Sequence, residues 1–275
     1  MGQPLLVGAG IAGTAAVVLG GWVVDHWGWG PALYINGVTY LVSVVSLLLI
    51  RYRPAVRHAT PAPVSMHNYL QEVAEGWRLV RSTPVLVLAL TALAAVWAGG
   101  GFLHVAGNQH IQRAAGAMAG MERLAVLMAT VGIGSAFGTW WVNTRGRAHP
   151  RHLILGVGLA LVAAGLVCFA ISTRFAVFAG AALLVGLGAA PVFVLPETML
   201  QEGTEPRHRG RVFSARDFLM RLMLLGGQSV AGVATPLIGT GATLLVAAGM
   251  IALVGVLAFV MGRRMPAPLM IAARE

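Results

Sequence analysis

Asp217, Arg221, Gln228 and Thr235 follow one another at intervals of four, seven and seven residues within an otherwise apolar stretch. That spacing puts a carboxylate, a guanidinium, an amide and a hydroxyl on one face of a helix. Such a face can line the path of a polar solute. Alternatively, Asp217 and Arg221 can pair where the helix meets water, with the arginine reaching toward polar headgroups. Gln228 lies deeper and is too short to reach water in that way, which makes it the stronger pathway residue of the set. Asn36, Tyr40 and Ser43 repeat the pattern at i, i+4 and i+7. They are suited equally to substrate contact and to hydrogen bonding between helices. Glu197 follows Pro191 and Pro196 near the end of another apolar run. It either pairs with an arginine of the next loop or titrates during a transport cycle.

The stretch AGGGFLHVAGNQH, residues 98–110, is of another kind. Three consecutive glycines each cost a helix roughly 1 kcal/mol against alanine. The expectation is a bend or unwound turn at Gly99, Gly100 and Gly101, presenting His104, Asn108, Gln109 and His110 beyond it. Either these are substrate contacts on a broken helix or they form an ordinary polar helix end. The sequence holds no nucleophile elbow, phosphate-cradling glycine loop or metal-spaced histidine pair. It therefore supports no enzyme, no cofactor and no metal. The remaining glycines, including Gly134 and Gly138 in GSAFG, fit close helix packing.

These residues need elements to hold them, and composition says which. The chain has 275 residues, 57% hydrophobic and only 10% charged. A soluble domain carries about a quarter charged residues. Eight stretches are long and apolar enough to cross a bilayer: residues 5–24, 31–50, 84–105, 124–142, 153–171, 175–196, 218–238 and 243–261. They are continuously apolar, which excludes the period-two pattern of a membrane β-barrel. The first has no basic stretch before it and no clear cleavage site, so it reads as a span, not a cleaved signal peptide. The single cysteine, Cys168, permits no internal disulfide.

The net charge of +10 comes entirely from arginine, and the arginines fall between the apolar runs. No basic tract with interleaved aromatics exists, so nucleic acid is not a partner. Alternate loops carry the charge. Arg51, Arg53, Arg57, Arg78 and Arg81 lie in one, Arg145, Arg147 and Arg151 in the next, then Arg207, Arg209, Arg211 and Arg216, and the tail holds Arg263, Arg264 and Arg274. The other loops hold only Arg113, Arg123 and Arg174. By the positive-inside rule the basic loops and both termini are cytoplasmic, in a multi-pass protein of the inner cell membrane. The long basic loop begins with the proline-rich PAVRHATPAPVS and continues as an amphipathic helix, with Glu75 and Arg78 as an i, i+3 pair. That helix is expected to lie along the cytoplasmic surface.

Several stretches carry a family likeness. Glu197-Thr198-Met199-Leu200-Gln201 is followed by Arg209-Gly210-Arg211-Val212-Phe213-Ser214. Gly20-Gly21 leads through Trp27, Gly28 and Trp29 to Ile35-Asn36, Tyr40-Leu41 and Ser43. EGWRLVRSTPVL precedes the third run. Together these resemble the major facilitator superfamily, and within it the bacterial drug and siderophore exporters. Ala16 and Val17 stand where the antiporter motif has glycine and proline, and Asn143 stands where the loop motif has aspartate.

The resemblance implies an all-α, polytopic membrane helix bundle of about eight transmembrane helices, matching the family's fifth to twelfth and lacking its first four. Residues 1–53 would hold two helices of the N-terminal half, 54–82 the cytoplasmic linker, 83–264 the six-helix C-terminal half and 265–275 a tail. The implied activity is efflux of a small-molecule substrate by a proton-coupled antiporter with alternating access. Asn36, Tyr40, Gln109, Glu197, Arg221 and Gln228 are the pathway candidates, and the partners are the lipid bilayer, the substrate and a proton. The rival expectation is a non-transporting membrane remnant or interaction subunit, whose exposed helix face needs a partner chain or the missing N-terminal helices.

Overall fold

A computed structural model describes residue 16 and residues 19–49, 66–115, 121–146, 149–205 and 209–264. Among these, almost everything is helix and no strand occurs. Residues 19–27 are helical, and most of the first expected span lies outside the described residues. The helices that follow are α1 (Trp29–Leu49), α2 (Met66–Arg81), α3 (Pro84–Phe102), α4 (Asn108–Ala115) and α5 (Met121–Thr144). They continue as α6 (Arg151–Ile171), α7 (Phe175–Glu202), α8 (Arg209–Ile238) and α9 (Thr240–Arg264). Seven are long and apolar enough to cross a membrane, counting α3 with its extension through α4 as one. The proline-rich start of the linker and the C-terminal tail fall outside the described residues.

The helix starts follow local chemistry. Extended backbone at Thr83 and Pro150 precedes α3 and α6, and Pro84 occupies the first turn of α3, where an N–H would be unpaired anyway. Pro191 and Pro196 lie inside α7 without ending it. Neighbouring helices in a membrane bundle satisfy the backbone groups that proline frees. Gly239, at φ 86°, supplies the left-handed residue that turns α8 into α9.

The packing of the six long helices from α3 onward repeats itself. Helices α3 and α7 meet at the centre; α8 packs on α3 as α5 packs on α7. Likewise α9 packs on α3 as α6 packs on α7, and α6 and α9 pack on each other behind them. Three consecutive helices thus exchange partners with the next three, the internal repeat common in transporter folds. The contacts are close because the residues are small. A Cβ on Gly186 of α7 would meet the Val131 carbonyl of α5, and one on Gly227 of α8 would meet the Ala98 carbonyl of α3. The packing expected for Gly134 and Gly138 is observed, both lying against α7. Such contacts hold helices together in lipid, which offers little hydrophobic drive for association.

Three expectations are corrected. The glycine triplet does not unwind: Gly99, Gly100 and Gly101 are helical, with Gly99 against Ile251 and Gly101 against the Leu224 carbonyl. The irregularity comes one turn later as a π-helical turn, Leu103–Gly107, leading into α4. Close approach on two sides explains Gly99 and Gly101 better than flexibility does, while a Cβ on Gly100 would meet nothing within 4 Å. Next, the arginine string after α7 is mostly helix, since α8 begins at Arg209. Third, Glu75 pairs with Arg211 at 2.7 Å and makes no pair with Arg78. In addition, α2 docks on α8, where Gly76 touches the Arg211 backbone and Val80 is buried.

Candidate functional site

One stripe of α3 runs from closed to open. Leu86, Leu90, Leu93, Trp97, Gly100 and His104 recur at three- and four-residue spacing and share a face. Leu86, Leu90 and Leu93 are at most 2% exposed, Trp97 is half-buried, and Gly100 and His104 are exposed. The lid over the three leucines comes from Leu200 of α7, Val212 and Met220 of α8, and Val80 of α2. Further along, the Trp97 ring stands edge-on to Phe193 of α7 at 6.1 Å, and Gly101 touches α8. This face of α3 is therefore covered at Leu86, Leu90 and Leu93 and exposed at Gly100 and His104.

Ion pairs close the shut end. Arg216 of α8 contacts Glu197 of α7 and its own neighbour Asp217. Glu202 at the end of α7 takes Arg151 of α6 at 2.7 Å. Arg211 holds Glu75 of α2, and Arg209 donates to the carbonyls of Gln201 (3.1 Å) and Thr204 (3.3 Å). Four helices are tied in one layer by arginines that the sequence marked only as loop charge. The Arg216–Glu197 side chains are about three-quarters buried. Removing one member of such a pair leaves a poorly compensated charge in partly buried surroundings, which is costly.

The open end is fastened differently. One His110 ring nitrogen donates to the Ser172 carbonyl at 3.1 Å, and the other meets the Thr240 hydroxyl at 2.9 Å. Since a carbonyl can only accept, Nε2 carries the proton of that bond, while the Thr240 hydroxyl can either donate to Nδ1 or accept from it. The ring also lies 5.9 Å from Phe178, which stacks on Phe169. His110 thereby ties α4 to the α6–α7 loop and to the start of α9.

The sequence-derived candidates do not form one cluster. Glu197 lies at the shut end in the pairing that one reading expected, with Arg216 as its partner. Asp217 also goes to Arg216, and Arg221 is exposed with no ion pair among the described residues, so the expected Asp217–Arg221 pair does not form. Gln228 is half-buried on α8, its backbone beside Gly101 of α3. Gln109 is exposed on α4 at the open end. Asn36 and Tyr40 are exposed on α1, a helix with no buried residue, where Thr39 and Ser43 donate to carbonyls of their own helix. Sequence reasoning missed Arg216 as the central cation and the Trp97–Phe193 pair. The i, i+4 relation of Phe193 to Glu197 was the available signal.

The model of the Major Facilitator Superfamily matches residues 5–223, well over half of the chain. No curated protein matches it.

Proposed function

Because the chain belongs to the major facilitator superfamily, whose members are membrane transporters, we propose that it exports a small molecule by alternating access, in exchange for a proton. The observation that carries the reading is the burial gradient along α3: shut over Leu86, Leu90 and Leu93, open from Trp97 onward. A path sealed at one end and open at the other is one state of a two-state carrier, and ligand or proton need only bias the second state. In this reading the basic loops face the cytoplasm, which sets the shut end on the inner side of the inner cell membrane.

In this account Glu197 is the gate acid. Arg216 serves two carboxylates, so the trio carries one negative charge in excess, and protonating Glu197 releases the arginine from α7. Gln228 on α8 and Gln109 on α4 contact the substrate along the open part of the path, and Arg221 on α8 meets it where the covered part begins. Asn36 and Tyr40 belong to the facing wall. Efflux of fluorescent dyes and of siderophores from intact cells tests this, comparing cells with the chain, without it, and with Glu197→Ala. Faster efflux that needs both Glu197 and a proton gradient is expected. Identical efflux with and without the chain, across both solute classes, would contradict it.

A further inference from the structure

The linker helix presents a face that the bundle leaves unused. Gly76 abuts the Arg211 carbonyl, Val80 is 1% exposed, and Glu75 pairs with Arg211, which together fix the rotation of α2 against α8. Ala74, Arg78 and Arg81 then fall on the side turned away from Gly76 and Val80, Trp77 lies at its edge, and all four are exposed. The Arg81 guanidinium lies over the Trp77 ring, 5.7 Å from its centroid. Neither Arg78 nor Arg81 has an ion pair among the described residues, whereas Arg151, Arg211 and Arg216 at the same end all do.

We infer that this face binds the headgroups of anionic phospholipids. Charge is the first argument: two uncompensated guanidinium groups flank an indole, and a guanidinium matches a phosphate through paired hydrogen bonds. Level is the second. Trp140 and Trp141 close α5 just before Arg145, at the end of the bundle to which α2 is docked. Tryptophan gathers where the hydrocarbon meets the headgroups. The third is order: the contact between Arg81 and Trp77 sets both groups in place before lipid arrives, so less freedom is lost on binding. The inference rests on the chain being a membrane protein and is independent of what it transports.

The test uses the full chain with Cys168→Ser and Ala74→Cys, an environment-sensitive fluorophore on the new thiol, and nanodiscs of phosphatidylcholine with or without phosphatidylglycerol. Phosphatidylglycerol carrying a quencher on its headgroup should quench the label several-fold more than similarly labelled phosphatidylcholine. In the Arg78→Gln/Arg81→Gln variant that preference should vanish, since each arginine near an anionic surface contributes about fivefold in binding. An unchanged unfolding midpoint in detergent would show that the variant still folds. Equal quenching by the two lipids in the parent chain would overturn the inference. So would shielding in lipid-free detergent that grows with protein concentration, which would assign the face to a second copy.

Discussion

At the scale of single residues, the shut end turns on Arg216. It contacts a carboxylate on another helix and one on its own, but the two are unequal. The Glu197 side chain is 28% exposed and the Asp217 side chain 56%. Removing the more buried partner leaves a cation poorly compensated, while the more exposed one exchanges readily for water. Glu197→Gln should therefore lower stability by about 2 kcal/mol, and Asp217→Asn by about 0.5 kcal/mol or less. Unfolding midpoints of the purified variants in one detergent check this, and equal shifts would remove Glu197 from its special place. The sequence offered pairing with an arginine as one of two readings for Glu197, and several arginines stood within reach. Which one it meets depends on the register of α7 against α8, and that is set by packing.

At the scale of elements, the glycines separate into those that a neighbour presses and those that nothing touches. Gly186 and Gly227 stand against carbonyls of the facing helix, while Cβ atoms on Gly226 and Gly249 would meet nothing within 4 Å. Gly186→Ala and Gly227→Ala should each cost about 1–3 kcal/mol through overpacking, and Gly226→Ala and Gly249→Ala should be neutral or gain up to about 1 kcal/mol in helix propensity. Thermal unfolding of the four variants tests the division, which spacing in the sequence could not make. Element existence was legible because each run is long and apolar. Their ends were not: α8 begins nine residues before the expected run at 218, because the polar string at its start is held by partners on α2 and α7. The glycine triplet misled for a similar reason, since intrinsic cost says nothing about a helix pressed from two sides.

At the scale of the whole molecule, arginine distribution and apolar runs made a multi-pass helix bundle readable from the sequence. The exchange of partners between α3, α5, α6 and α7, α8, α9 was not, because it lies in which small residues meet. Nor could spacing show that the α3 stripe is sealed at one end, since leucines covered by α2, α7 and α8 read like any other leucines. The central claim is a path along α3, closed toward the basic end and open toward the other. Labelling with a membrane-impermeant thiol reagent, in a Cys168→Ser background, tests it most directly. Gly100→Cys should react when reagent is added to the outside of intact cells, and Leu93→Cys should stay protected from both sides until Glu197 is replaced by glutamine. Rapid labelling of Leu93→Cys from the cytoplasmic side in the parent chain, with Gly100→Cys unreactive from outside, would contradict the account.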